Sequence, residues 1–502
     1  MVLKSPEQSL MQKAFTSSPD APLSLPKQLD NAEQKAVREL FEVWRTHYRR
    51  NILRSAYYNA HQEINDFGIS IPDKIKNKVK PMVAWSSKAV RALADLSVFE
   101  GIATGDSDTD RQLNAIIEDN ELDIQISEAI VSAYTHACSF LTVSRSADGR
   151  AHIMPRSAER SAATWDYSTQ SINGALTITK TDKNGSITQY VVWLKGKNLI
   201  CTLGVNGWQV ERQSTANENG VDVFPLAYDA HMNRPFGRSR ISRTLMQLTD
   251  IGVRTMLRME ATAEFYSAPH IWFLGLDPNS MKDMDAWSSL TSAINAVSKD
   301  MDGDTPQLQQ IAQASMQPHS DMLKTVALLV AAETNLPVND LGITMDNPAS
   351  AEAMAAAERK LSREADRQNI RFGRSIKNAL IRAAQINGAA DLDALRSLQV
   401  VWKPTRDISD AARADYYVKV AQANPVFASS DTGLLRAGLS WDEVQALRRE
   451  ERRQQARLIV EQLAQQQEKQ QQAQTTATTG TPTPEETEPT PTPNQLPDLD
   501  KQ

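Results

Sequence analysis

Residues 333–386 read ETNLPVNDLGITMDNPASAEAMAAAERKLSREADRQNIRFGRSIKNALIRAAQI, and the two halves of this stretch follow different rules. The first half is short and apolar, and it is interrupted by Leu336-Pro337 and Leu341-Gly342. The second restarts at Asn347-Pro348-Ala349-Ser350. Asn347 suits an N-cap, because its side-chain oxygen can accept from an orphan amide. Pro348 suits the first helical position, where a missing N–H costs nothing. From Ala349 to Asn387-Gly388 the chain holds one glycine and no proline, which supports a helix of about 38 residues, roughly 57 Å long. That far exceeds the usual globular helix of about 11–12 residues. The pattern predicts two rods joined by an exposed elbow.

On the long helix Arg359, Arg363, Arg367 and Arg371 recur every fourth residue. Stacked like charges cost about 0.2–0.5 kcal/mol per pair in isolation. Glu358, Glu364 and Asp366 could neutralise part of the row and leave it a solvated face. The whole row points instead to a partner, either acidic side chains of a neighbouring subunit or a polyanion.

Working outward, residues 1–30 carry Pro6, Pro19, Pro22 and Pro26 among polar residues and read as a flexible arm. Helical periodicity follows at Ala36, Val37, Leu40, Phe41, Trp44 and Tyr48, and continues over residues 75–100 and 111–138. Between Phe140 and Tyr228 the period changes to two. Asp148-Gly149, Asn184-Gly185 and Asn206-Gly207 are tight-hairpin signals, and strands are expected at 175–180, 186–194 and 198–203. Residues 238–266 return to a helix with a narrow stripe of Ile241, Leu245, Leu248, Gly252, Met256, Met259 and Ala263, suited to packing between rods. Strands at 271–274 and 307–312 flank an aspartate-rich insert with a helix at 284–297. Pro318-His319-Ser320-Asp321 reads as the cap of a second rod, residues 322–335. Leu398–Trp402 reads as a strand, Ser409-Asp410 and Asp431 each start a helix, and Ser440-x-x-Glu443 has the form of a capping box opening a helix to about Gln466. The Gln-rich and Thr-Pro-rich remainder cannot bury a core and reads as disordered.

At 502 residues the chain should divide into about two to four units. Its best apolar run, 326–332, is far shorter than the roughly 18 residues a membrane span needs. MVLKSPEQSL lacks an apolar signal core, so the chain is expected to stay in the cytoplasm where it is made. Cys138 and Cys201 are too few for a disulfide framework and read as buried thiols. A net charge of -6 argues against coating nucleic acid by global attraction.

No catalytic signature survives inspection. There is no G-x-x-x-x-G-K-[ST] loop, so the chain is not expected to hydrolyse ATP itself. Asp106-Ser107-Asp108-Thr109-Asp110 imitates a calcium loop, but Arg111 stands where the turn glycine should be and Ile117 where the bidentate glutamate should be. The histidines are scattered without ligand spacing, and Gly237-Arg238-Ser239 lacks the second glycine of a nucleophile elbow, so Ser239 reads as a helix-start residue. Asp300, Asp302 and Asp304 read as a solvated acidic loop or a docking surface rather than a cation site. No enzyme activity, cofactor or metal is expected.

The run LPVNDLGITMDNPASAEAMAAAERKLSREADRQNIRFG, residues 336–373, resembles the signature region of tailed-bacteriophage portal proteins, especially those of long-tailed phages. In that family a Leu-Pro and Leu-Gly pair closes a stem helix, and Asn-Pro-Ala-Ser-Ala-Glu opens the long helix after the tunnel loop. Pro235-Phe236-Gly237-Arg238-Ser239 resembles the start of its first stem helix, Glu264-Phe265-Tyr266-Ser267-Ala268-Pro269 resembles that helix's exit, and Trp402-Lys403-Pro404 extends the likeness downstream. The likeness covers most of residues 36–465.

The resemblance implies an α+β, mainly helical fold with wing, stem, clip and crown around a central channel. On it the chain divides into an arm (1–30), wing (31–237), first stem helix (238–266), clip (267–318), second stem helix (319–336), tunnel loop (337–348), long wing helix and return strand (349–404), crown (405–466) and disordered tail (467–502). The implied protein is a homo-oligomeric ring, a dodecamer, at one capsid vertex of the virion, assembled in the host cytoplasm. Double-stranded DNA would be packaged and ejected through it without sequence specificity. Implied partners are the terminase large subunit, head-completion or adaptor proteins, and the major capsid and scaffolding proteins; no membrane is implied. DNA-facing candidates are Asn339, Asp340, Ile343, Thr344, Met345, Asp346 and Asn347 in the loop, and Lys324 on the second rod, for which a salt bridge to an adjacent rod is an equal alternative. Leu341, Ile343 and Met345 could instead be buried against the stem.

Two rivals come from other classes. A nuclease-like or other nucleic-acid-processing head protein would need carboxylates clustered on a rigid element, and only loop aspartates are on offer. A coiled-coil scaffolding protein would explain the long helices but not the hairpin signals between 140 and 228.

Overall fold

The structure, a computed structural model, describes residues 25–62, 81–266, 271–274, 307–310, 315–342, 351–389, 392–406 and 410–477. The flexible-arm reading for residues 1–24, the helix at 284–297, Asp300, Asp302, Asp304 and the segment from Ile343 to Asn347 lie outside the described residues. The chain divides into two compact units, Met1–Asp407 and Ile408–Gln502.

The first unit opens with helix α1 (Asn31–Tyr58), fixed at its start by a reciprocal capping box. The Glu33 amide donates to Asp30 Oδ1 at 2.7 Å and the Asp30 amide donates to Glu33 Oε2 at 3.1 Å. Its expected stripe, Val37, Leu40, Phe41, Trp44 and Tyr48, is buried. Helix α2 (Trp85–Ala94), strand β1 (Phe99–Ala103), and helices α3 (Ser107–Asp119) and α4 (Leu122–His136) follow.

Two expected helical stretches are corrected here. The 75–100 stretch contains β1, which pairs antiparallel with Gln399–Trp402, a partner about 300 residues away that no local pattern announces. The 111–138 stretch breaks at Asn120-Glu121. Glu121 is left-handed at φ 48°, and the Asn120 side chain accepts the Ile153 amide at 2.8 Å, tying the break to a strand.

Strands β2 (Cys138–Arg145) and β3 (Ala151–Ser157), then β4 (Ser161–Asp166), β5 (Ser171–Thr181), β6 (Ile187–Leu194), β7 (Lys197–Gly204), β8 (Gly207–Ser214) and β9 (Val223–Ala227), occupy the region of period two. Each of the three hairpin glycines has positive φ, as its turn requires. The expected single meander is divided into a five-stranded sheet, β4-β5-β6-β7-β8, and a three-stranded sheet, β3-β2-β9. The chain switches sheets at Ala158-Glu159, where α1 holds the corner. Asn51 Nδ2 donates to Ala158 O and Trp44 Nε1 to Glu159 O, both at 2.8 Å. The hydrophobic face of α1 packs on the larger sheet, with Phe41 edge-on to Tyr190 at 5.1 Å. These paired strands are incompatible with an all-helical scaffold.

Helix α5 (Arg243–Tyr266) begins later than the expected 238, because Ser239 is turned inward. Its hydroxyl donates to Thr135 O at 2.5 Å, while Ser242 accepts the Leu245 amide at 3.0 Å and performs the capping. The expected stripe is buried through Ile241, Leu245, Leu248 and Gly252; Met256 and Met259 are half-buried and Ala263 is exposed. Strands β10 (Ile271–Leu274) and β11 (Gln307–Gln310) pair antiparallel. Helix α6 (Gln317–Thr334) takes Pro318 into its first turn, so the residues expected as its cap are already helical. Helix α7 (Ala351–Ile386) is the long helix, 36 residues, ended by Asn387 and Gly388 at φ 88°. Its one glycine, Gly373, lies against Trp402, where an added Cβ would come within 3.2 Å of Nε1. A short helix α8 (Leu392–Ser397) leads into β12 (Gln399–Trp402). The main core joins Phe372, Ile376 and Leu380 of α7 to Ile126, Ile130 and Tyr134 of α4 and to Val326 and Val330 of α6.

The second unit is helical: α9 (Asp410–Ala423), α10 (Pro425–Ala428), α11 (Asp431–Ala437) and α12 (Trp441–Ala477). The capping box at Ser440 and Glu443 forms as expected. Helix α12 continues to Ala477, however, rather than ending near Gln466 before a disordered tail. Gln, Glu, Lys and Ala are good helix formers, and no glycine or proline intervenes before Gly480.

Candidate functional site

The turn between Tyr228 and Arg240 is built around Gly237, at φ 69°, where an added Cβ would lie 1.9 Å from Tyr228 O. Only glycine fits. The Arg238 amide closes the turn on Tyr228 O at 3.0 Å, and the chain then aims Arg240 into the interior.

Arg240 is 7% exposed. Its Nε donates to Ala89 O, its Nη2 to Thr334 O, and its Nη1 to Glu364 Oε1, each at 2.6 Å. The Tyr228 hydroxyl donates to the same Glu364 oxygen, and Asn335 Nδ2 reaches the other at 3.2 Å. Thr334 is the last residue of α6, whose terminal carbonyls have no partner within the helix, and a guanidinium there satisfies one and complements the helix dipole. The node therefore fastens the start of α5, the end of α6, α2 and α7 to one another. Ser242 adds a hydrogen bond to Glu333 at 2.7 Å. Two helices that leave from and return to one node, and pack along each other, form the paired rods expected from sequence. Burial raises the phenol pKa of both Tyr228 and Tyr134 beside the node.

The elbow follows directly. Leu336 is buried, Val338–Leu341 forms a 3-10 turn, and Gly342 is left-handed at φ 76°. Asn339 and Asp340 are exposed, with Asp340 Oδ2 4.0 Å from Lys88 Nζ. Leu341 is half-buried against the core, as one of its two readings had it. Lys324 is exposed on α6. Of the loop candidates, then, the structure brings Asn339 and Asp340 to the surface beside the node.

All four arginines of the row, Arg359, Arg363, Arg367 and Arg371, are exposed. Two of the three expected neutralisers have other partners: Glu364 turns inward to Arg240, and Asp366 accepts from Thr405 Oγ1 at 2.8 Å, while Glu358 stays exposed beside Arg359. Arg371 donates to Ala230 O. The row borders three adjoining clefts. One of about 640 Å³ is lined by Lys360, Arg363 and Arg367 with Asp366, one of about 520 Å³ by Arg367 and Arg371 with Asp229, Glu333 and Glu364, and one of about 1010 Å³ by Met232, Ile370, Arg371 and Arg374. The first two clefts are therefore mixed in charge, and the third carries arginines.

Sequence reasoning missed Arg240 and misassigned Glu364 to the surface row. Spacing alone carried no signal, since the partners are far apart in the chain.

Three other polar clusters are structural. Ser55, His136 and Glu159 have the composition of a hydrolytic triad, but hydroxyl and carboxylate share one ring nitrogen: Ser55 Oγ is 2.8 Å and Glu159 Oε1 3.3 Å from His136 Nε2. In a working triad the acid holds Nδ1; here Nδ1 faces Ser132 and Ser157. Asp222 and Arg382 pair at 2.8 Å, fixing α7 to the turn before β9. Asp106 and Asp110 are spent on the start of α3, accepting from Thr109 and Thr104. Among the described residues no group of three or more His, Cys, Asp or Glu could hold a metal ion, and no helix is long and apolar enough to cross a membrane.

A family profile described as "Phage portal protein, SPP1 Gp6-like" matches residues 38–475. The chain is 28% identical to the portal protein of Mycobacterium phage L5 over 379 residues, 73% of this chain and 77% of that one. It is 27% identical to the portal protein of Mycobacterium phage D29 over 429 residues, 79% of this chain and 84% of that one. Among solved structures it is similar, at 11% identity and a TM-score of 0.44, to a chain of the neck of an empty gene transfer agent (GTA) particle, covering 78% of this chain and 94% of that one. A chain of the native GTA virion is similar at 11% identity and a TM-score of 0.42, with 74% and 95% covered.

Proposed function

The chain belongs to the SPP1 Gp6-like phage portal proteins, and on that premise we propose that it forms a dodecameric ring at one capsid vertex of the virion, through whose bore double-stranded DNA is packaged and later ejected. The observation that carries the detailed reading is the Arg240 node. It gathers the start of α5 and the end of α6 at one buried point, with Leu336–Gly342 following directly, and this supports reading the two helices as one stem with the elbow at its base. In this reading α5 and α6 are the stem, residues 267–318 the clip, 337–348 the tunnel loop, α7 and the two sheets the wing, and the helices after 405 the crown. Asn339, Asp340 and the residues to Asn347 meet passing DNA. Repeated copies of a few loop residues give contact without base readout.

The clip, with Asp300, Asp302 and Asp304, would dock the terminase large subunit and then the head-completion or adaptor proteins. The exposed arginine row, from which Glu364 is withdrawn to Arg240, faces acidic side chains of a neighbouring copy or a polyanion. Major capsid and scaffolding proteins would contact the outside of the ring. The matched family and both curated relatives are portal proteins, which leaves the nuclease-like reading without support. Class averages of negatively stained, purified chain test the proposal. Annuli with a central hole are expected, and monomers under every buffer overturn it. Magnesium-dependent DNA degradation by the pure chain would revive the nuclease.

A further inference from the structure

Two exposed isoleucines sit in patches of opposite charge. Ile370 of α7 is 69% exposed and Ile124 of α4 is 57% exposed, although Ile376 of the one helix and Ile126 and Ile130 of the other are buried in the main core. From Arg359 to Arg374 every exposed residue of α7 is cationic except Asp366 and Ile370, and those cations form no ion pair among the described residues. From Glu118 to Glu128 every exposed residue is acidic except Ile124 and Ser127. Of these carboxylates only Asp119 is paired among the described residues, with Arg150 at 3.3 Å.

The spacing matches as well. Arg367 and Arg374 stand three residues before and four residues after Ile370, and so share its face; Glu121 and Glu128 stand at the same offsets from Ile124. On each helix the two charges are therefore about 10.5 Å apart along the axis, with an apolar side chain between them. Laid side by side, the triplets bring isoleucine onto isoleucine and set both arginines against both glutamates, whichever way the helices run.

The fold holds the two patches at different edges of the three-stranded sheet. Beside Arg374, Ser375 Oγ donates to Pro225 O of β9 at 2.7 Å; beside Glu121, Asn120 Oδ1 accepts the Ile153 amide of β3 at 2.8 Å. β9 and β3 are the outer strands, with β2 between them. Each patch is left open by its own copy and fits the other patch of the next. A phosphate backbone would satisfy the arginines but not Ile370. A contact between two different patches of one chain is head-to-tail, and closes a ring where the rotation permits.

We infer that Arg367, Ile370 and Arg374 of one copy pack against Glu121, Ile124 and Glu128 of its neighbour. The inference rests on the ring reading above and decides, for the arginine row, in favour of a second copy over a polyanion.

Charge reversal in the full chain tests it, with rings measured by sedimentation velocity at low salt and folding checked by thermal melting. Arg367→Glu with Arg374→Glu, and Glu121→Arg with Glu128→Arg, should each lower the ring population about tenfold or more, because like charges then face each other. All four changes in one chain restore the pairing and should return the population to within about twofold of the unaltered chain. Ile124→Cys with Ile370→Cys, oxidised, reads the same contact without altering charge. Covalent oligomers are expected from the pair and none from either single change, since Cys138 and Cys201 are buried. Normal assembly after either reversal alone, a folded fourfold variant that does not regain rings, or rings whose cysteine pair gives no covalent oligomers overturns the inference and leaves the ring reading intact. An unaltered chain that forms no rings, with a cysteine pair that gives no oligomers, overturns both.

Discussion

Arg240 and Glu364, separated by 124 positions, meet at 2.6 Å with side chains 4% and 12% exposed. A buried pair of this kind is a weak source of net stability, because desolvation offsets attraction; what it enforces is position. Removing one partner strands the other. Arg240→Met and Glu364→Leu should each destabilise by about 3–5 kcal/mol, and the double variant by less than either alone. Chemical denaturation of the variants checks this, and simple additivity would contradict it.

Gly237 serves the same node through backbone geometry. Gly237→Ala places a Cβ against Tyr228 O at positive φ, so a loss of at least about 2 kcal/mol is expected. Thermal melting reads it. An unchanged midpoint would mean that the turn can rearrange without moving Arg240.

Stability should fall in acid through Glu33. Arg212 hydrogen-bonds its carboxylate, and with Lys197 it outweighs desolvation, lowering the pKa from 4.5 to about 2. A depressed carboxylate pKa contributes stability above the unfolded value, which is lost as pH falls from about 4.5 to about 2. Lys197 and Arg212 are 38% and 43% exposed, so solvent screening reduces the loss to about 1–2 kcal/mol. Glu33→Gln should flatten that part of the stability profile; an unaltered profile would exclude Glu33 as its source.

The arginine row is separable from folding. Arg363→Glu with Arg367→Glu touches only exposed side chains and should change protomer stability by less than about 0.5 kcal/mol, while sharply lowering the yield of rings at low salt. Sedimentation velocity across ionic strengths measures this. Normal assembly would make the row a solvated face.

Much of the fold is legible locally. Asp30 and Glu33, Ser440 and Glu443, the hairpin glycines Gly149, Gly185 and Gly207, and the uninterrupted run of α7 act within a few residues of themselves, so pattern and turn chemistry reach them. Two local readings erred at boundaries. Ser239 resembled a cap, but Thr135 O claimed its hydroxyl, and the Gln-rich end of α12 was polar enough to resemble a tail although its residues favour helix.

The sequence by itself therefore determined the family, the long helices and the order of helical and strand-rich regions. Periodicity, caps and the elbow motif are encoded at separations of three to four residues, where chain connectivity alone brings the groups together. Only the tertiary structure decided that Glu364 leaves the arginine row for Arg240, that β1 finds β12, and that Ile124 and Ile370 stay uncovered within one copy. Those outcomes depend on which distant groups compete for one buried partner, and on which apolar faces the core fails to reach, neither of which spacing along the chain records.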